Sequence, residues 1–337
     1  MKKIIKKIQK YKKQYEKQQV NKEAKAVNRR EFTLLLGGIS ACRKMPGVNE
    51  HMGYEQLYHC SDQEDIQKGR NHLEQLFGVS DKESLLRACN QAYAGGEQYE
   101  QFMTFWNNAP LFDLEELNEK GRERFLYCKQ LGELFYPIVK EKGLYAWDIN
   151  ERIGLCRNAV VCGIITDEEF WEITDVWVRQ AQVFYHSYWE YAISCLCGAI
   201  YDMAQYDEDV HQFFDINCNL IENLLGEGGA WNRNQWYVPK EREWAPLLKS
   251  NPGCFVTKRA LEEGIGYMYR EEPSEGNPDS GWRFFVGDES EEYIDNSDNT
   301  EVCGLNTICN LQPEIMAFIY AQAGRRFGKH KNGWVEE

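Results

Sequence analysis

The sequence predicts a multidomain protein: a mainly α-helical bundle domain followed by a small α+β domain. Three observations lead there. The chain has 337 residues, about two domains by ordinary domain sizes. Between about residues 145 and 225 the apolar positions recur at helical spacing. After residue 250 the pattern changes to strand-like alternation broken by loops rich in Gly, Pro, Ser and Asn. A hydrophobic share of 43% supplies enough apolar surface for cores, which excludes global disorder. The expected division is residues 1–29, 30–249 and 250–337.

Residues 1–29 read as a basic, helical arm, with Ile4, Ile8, Tyr11 and Tyr15 on one stripe and Lys and Gln over the rest. Residues 1–30 hold twelve Lys or Arg and two Glu, a balance of +10. Against the whole-chain charge of -14, the remainder carries -24. A basic arm thus precedes a strongly acidic body, and its expected partner is an acidic surface, the chain's own body included. That body repels nucleic acid and attracts basic proteins.

Asn28-Arg29-Arg30-Glu31-Phe32, with Leu34-Leu35-Leu36 behind it, imitates a twin-arginine export signal. Only eleven residues separate Arg30 from Cys42, and two are Gly, so the segment reads better as an amphipathic core helix. Twelve scattered cysteines form no CxxC or Cys/His metal spacing and read as reduced thiols. No apolar run approaches the ~20 residues of a membrane span. The expected location is cytoplasmic.

The helical region is marked by capping boxes at Ser80/Glu83, Thr166/Glu169 and Ser187/Glu190. The stripes that follow are Phe170, Thr174, Trp177, Ala181, Phe184, then Trp189, Ala192, Leu196, Ala199, Met203. A third stripe runs Val210, Phe213, Asn217, Leu220, Leu224, and Ile149, Ile153, Cys156 and Val160 mark a helix upstream. One-sided helices in succession must bury their stripes on one another, hence a bundle. Asp148 and Arg152 stand four apart, spaced to face each other on that upstream helix. They form either a packing pair or, with Glu190, a polar site of an enzyme of unknown class. A lone carboxylate and arginine without an adjacent nucleophile make no catalytic set, so no catalytic residue, metal or cofactor is assigned.

In the C-terminal region, Cys254–Thr257, Ile265–Tyr269 and the alternation Trp282, Phe284, Val286 read as strands, and Pro313 opens an expected final helix. From Glu271 to Glu301 there are eleven Asp or Glu and one basic residue, Arg283. Asp295-Asn296-Ser297-Asp298-Asn299 begins like a calcium loop but continues with Thr300 where glycine is required. The stretch therefore reads as a solvated loop or a docking surface. Its candidate partner-binding residues are Glu271, Glu272, Asp279, Trp282, Asp288, Glu289, Glu292, Tyr293 and Asp295. Trp282 is an anchor if exposed and core if it shares a buried face with Phe284.

Two resemblances follow from these residues. Ala146-Trp147-Asp148-Ile149 with Arg152, then Ser187-Tyr188-Trp189-Glu190, Gly198, Trp231 and Trp236, resembles bacterial domain-of-unknown-function family 1266 over about residues 32–240. Asp279-Ser280-Gly281-Trp282-Arg283-Phe284-Phe285-Val286-Gly287-Asp288-Glu289, then Glu292-Tyr293-Ile294-Asp295-Asn296, resembles domain-of-unknown-function family 2185, immunity protein family 33, over about residues 253–320. The first implies a fold and no activity. The second implies a non-enzymatic bacterial protein that binds and neutralises a cognate polymorphic toxin, here a basic protein met by the acidic surface.

Overall fold

The computed structural model describes residues 2–17, 21, 23–43, 55–91, 102–103, 114–204, 210–274, 276 and 278–337. The chain divides into two units, Met1–Phe102 with Phe112–Ala245, and Met103–Leu111 with Pro246–Glu337.

The first unit is helical. Its elements are α1 (Lys2–Lys17), α2 (Arg29–Leu36), α3 (Gly38–Cys42), α4 (Gln63–Phe77), α5 (Lys82–Gln91), α6 (Glu119–Val139), α7 (Tyr145–Val161), α8 (Asp167–Phe184), α9 (Tyr188–Met203), α10 (Val210–Leu225) and the short α11 (Ala230–Arg233). The helix starts follow from their caps. Thr166 and Glu169 close a reciprocal box at α8. Ser187 accepts from the Glu190 N–H, but the Glu190 carboxylate turns to the His186 N–H instead of the cap residue. At α5 the expected Ser80 box is replaced by Asp81, whose carboxylate accepts from the Ser84 N–H at 2.8 Å. An aspartate one residue nearer the helix is at least as good a cap as serine, and it wins.

The five stripe residues of α8 from Phe170 to Phe184 are all buried. On α10 the buried line is Phe214, Cys218, Ile221 and Leu225, one position on from the expected stripe, with Asn217 and Leu224 shared by both. Helices α7 and α9 are buried on nearly every side and pack on each other at the centre. A Cβ on Gly198 would lie 2.4 Å from Cβ of Trp147, so only glycine permits this crossing. The arginine pair at 29–30 opens α2, which is capped by Asn28 and buries Phe32, Leu34, Leu35 and Leu36. In α1, Ile4, Ile8 and Tyr11 are buried and the helix packs on α9. Lys3 and Lys7 reach Asp215 and Glu222 on α10 at 3.9 and 3.7 Å. Among the described residues no helix is long and apolar enough to cross a membrane.

The second unit is built on a six-stranded sheet. In chain order it comprises β1 (Gly253–Thr257), α12 (Lys258–Glu263), β2 (Tyr267–Arg270), β3 (Asp279–Phe285), α13 (Glu291–Asp295), β4 (Thr300–Gly304), α14 (Leu305–Leu311), β5 (Arg326–His330) and β6 (Gly333–Glu336). The strand order is β4-β1-β3-β2-β5-β6, with only β1 and β3 parallel. Pro313 opens a 3-10 turn to Ala317 rather than the expected helix, and the chain then returns as the β5–β6 hairpin. Gly333, at φ +117°, provides the tight turn.

One face of this sheet is a core. Val256, Phe284, Met268 and Phe327 lie in register across four strands and are buried. Trp282 is 0% exposed. Its ring stacks on Phe284 at 5.8 Å, and its indole N–H donates to the Ile319 carbonyl at 3.2 Å. Helix α12 packs on β1 and β3, and α14 on β4.

Candidate partner-binding surface

The period-two alternation of a strand sends the remaining side chains to the opposite face. Register places Val302, Phe255, Arg283, Tyr269 and Arg326 in one row across that face. Phe285, Tyr267, Gly328 and Val335 form the next row. This face is open. Val302 is 70% exposed, Val335 51% and Phe255 40%, and Tyr267, Tyr269 and Phe285 are half-buried. Large apolar groups left in water on a sheet face mark an interaction surface more often than chance does. A groove of about 610 Å³ runs along it, with Tyr267, Tyr269, Phe285, Ile294, Glu289 and Glu337 among its walls.

The acidic residues around this face fall into two groups. The first is engaged within the chain. Asp279 and Glu271 both hold the Arg283 guanidinium, at 2.9 and 3.0 Å. That guanidinium holds the Asp279 carboxyl well below the usual carboxylate range. Asp288 pairs with Arg259 at 3.0 Å. Glu289 accepts from the Thr257 hydroxyl and from the Val286 and Gly287 N–H groups at 2.7–2.8 Å. Burial alone would push its carboxyl up, and those three donors outweigh it and hold it down. They are neutral, so the carboxylate keeps its full charge.

The second group is free of such pairing. Glu291, Glu292, Asp295, Asp298 and Glu301, on α13, the turn after it and edge strand β4, are exposed and form no ion pair among the described residues. Glu272 is exposed beside the end of β2. Tyr293 is half-buried, with its carbonyl accepting from Asn299. Ile294 of α13 lines the groove, which joins this free acidic segment to the open aromatic face. Of the sequence-predicted residues, then, the sheet unit leaves Glu272, Glu292 and Asp295 free at the surface. It takes Asp279, Asp288, Glu271 and Glu289 into internal contacts. Trp282 is core, because it shares its face with Phe284, and cannot serve as a surface anchor.

Residues 254–337 match the model of the Immunity protein Imm33 domain. Residues 72–236 match the model of a Protein of unknown function, DUF1266. The Imm33 match spans the whole sheet from β1 to β6, including the C-terminal hairpin beyond the stretch that carried the resemblance in the sequence. No curated protein and no solved structure matches the chain.

In the helical unit, Asp148 and Arg152 are buried in α7, and the Arg152 guanidinium lies over the Trp177 ring at 5.6 Å. Glu190 serves the start of α9 through His186 and lies 4.0 Å from the Lys142 ammonium. The denser polar cluster is one turn away and escaped the sequence reading. Glu151 accepts from Ser40, Arg43 and Asn150 at 3.0, 2.8 and 2.7 Å. Arg43 stacks over Trp147 at 4.6 Å, and the Trp147 indole donates to Asp202 at 3.2 Å. Burial pushes the Asp202 carboxyl up to about 6. Here the hydrogen bonds of the Glu151 carboxylate are filled from α3, from Arg43 at its C-terminal cap and from α7, the arrangement of a packing lock.

The open face of the sheet was also missed, although its signal was present. The alternation of Tyr267 and Tyr269 with Met268 separates two faces but does not say which is dry. Only the register across β1, β3 and β5 decides that Met268 is inside.

Proposed function

We propose that this chain is a protein-binding immunity protein whose Imm33 domain captures a basic protein toxin and neutralises it. The observation that carries the reading is the free acidic segment on α13 and β4, set beside an exposed aromatic sheet face. Unpaired surface carboxylates raise the capture rate of a basic partner, and close charge pairs across an interface couple by about 1.5–7 kcal/mol. Apolar groups on the open face supply the area that is lost from water on binding. For a toxin that acts on nucleic acid, such carboxylates would occupy the basic cleft in place of phosphates.

The test is affinity capture with the tagged full-length chain from source cells at low and high salt. The expected result is a basic protein that elutes with salt and arrests growth when expressed without this chain. A captured protein that is acidic, salt-insensitive or harmless on its own would refute the reading.

A further inference from the structure

We propose that the groove on the open face of the sheet is a socket for an arginine side chain of the partner, an inference that rests on the protein-binding reading above. The same face already holds such a group beside the groove. Near Phe255 the face carries a guanidinium of its own: Arg283 lies 4.5 Å over the Phe255 ring, with Glu271 and Asp279 on its nitrogens at 3.0 and 2.9 Å. An aromatic ring beneath and carboxylates at the edge are the two things a planar guanidinium takes best.

The groove repeats that composition. Tyr269 and Phe285 lie with parallel rings at 5.6 Å, and Tyr267 stands 6.2 Å from Phe285. Glu289 and Glu337 are in its walls, and Glu289 is fixed by three neutral donors that leave its charge uncompensated. Among the described residues no cation stacks on Tyr267, Tyr269 or Phe285. Lys329 also lines the groove, but its ammonium is paired with Glu314. His330 lies 3.4 Å from Glu337. Arg326 stands across from Tyr269 in the sheet and is not among the groove walls. One half of the face is therefore furnished with its own guanidinium, and the other half has the rings and carboxylates for one supplied from outside. The free acids of α13 adjoin it through Ile294 and would gather a basic partner to this point.

The probe is the peptide acetyl-Gly-Arg-Gly-amide, with its citrulline counterpart as the neutral isostere, titrated into the full-length chain with labelled Tyr and Phe rings and followed by NMR. The expected result is that the arginine peptide shifts the Tyr267, Tyr269 and Phe285 signals and the citrulline peptide does not. Tyr269→Leu keeps the apolar bulk, removes the ring and weakens binding about two- to fivefold. Glu337→Gln, at an exposed position that does not threaten folding, weakens it by a similar factor. Equal response to arginine and citrulline, or arginine-induced shifts confined to Tyr293 on α13, would overturn the socket. If the captured toxin still binds in a salt-dependent manner to Tyr269→Leu with unchanged affinity, the socket fails while the immunity reading stands. If the arginine peptide seats in the groove but no toxin is captured, the immunity reading fails and the socket stands.

Discussion

The two faces of the six-stranded sheet carry nearly the same kinds of side chain and do opposite work. On one face Met268, Trp282, Phe284 and Phe327 are sealed under helices and turns. On the other, Phe255, Tyr267, Tyr269 and Phe285 meet water and carboxylates. Aromatic content alone does not separate them. What separates them is the cover, and the charge that collects where cover is absent. The same contrast runs through the acids: those nearest Arg283 pair with it, and those on α13 form no ion pair among the described residues.

Breaking the dry face should cost most. Trp282→Ala removes a fully buried ring stacked on Phe284 and is expected to destabilise the sheet unit by about 3–5 kcal/mol in chemical denaturation. A change below 1 kcal/mol would mean that the ring is not core. Tyr267→Ala, on the wet face, is expected to stay under about 1 kcal/mol, as surface substitutions do.

Next comes Arg283→Met, which strands the nearly buried Asp279 carboxylate, whose side chain is 8% exposed. The expected loss is about 3 kcal/mol at pH 7. The pH dependence has a definite sign. The folded Asp279 carboxyl titrates below its unfolded value, so its contribution is present above about pH 4 and is lost as the pH falls further. In Arg283→Met that acid-side slope should flatten.

Asp202, in the helical unit, runs the other way. Its folded pKa of about 6 lies above the unfolded value, so its proton favours the fold at low pH. Stability should fall as the pH rises from about 4 to 6 and then level off. Asp202→Asn keeps an acceptor for the Trp147 indole and removes the penalty. It is expected to gain about 1–2 kcal/mol at pH 7 and nothing at pH 4, read by denaturation at both values. No gain at pH 7 would show that Arg43 and solvent already compensate the charge.

The smallest effect on stability is expected at the group proposed to capture the partner. Replacing Glu291 and Glu292 by Gln and Asp295 and Asp298 by Asn should leave stability within about 0.5 kcal/mol, because these groups are exposed and form no ion pair among the described residues. Toxin affinity should drop by about tenfold or more. A large loss of stability would place these acids with the engaged group instead.

Much of this was legible in the residues. The stripe from Phe170 to Phe184 named the buried side of α8, because a one-sided helix announces its period. The helix-then-strand order and the alternation of Trp282 with Phe284 were equally plain. The C-terminal hairpin was not read, although Asn332-Gly333 is a turn signal between two strands. Its strands are too short and too polar to show a period, and the apolar residues after Pro313 resembled a helix. The binding surface was half legible. Charge counting found the acidic segment, but it could not tell Asp279, which faces Arg283, from Asp295, which faces water. Pairing depends on register, and register is a property of the sheet.

Growth rescue shows whether the free acids of α13 and the turn after it capture a toxin. The captured basic protein would be expressed in a susceptible bacterium with either the wild-type chain or the variant changed at Glu291, Glu292, Asp295 and Asp298, after matched melting temperatures confirm that both are folded. The wild type should restore growth and the variant should not, with partial recovery when the variant is overexpressed. Equal rescue by the two chains at equal abundance would contradict capture by these acids, and would move the binding site off α13.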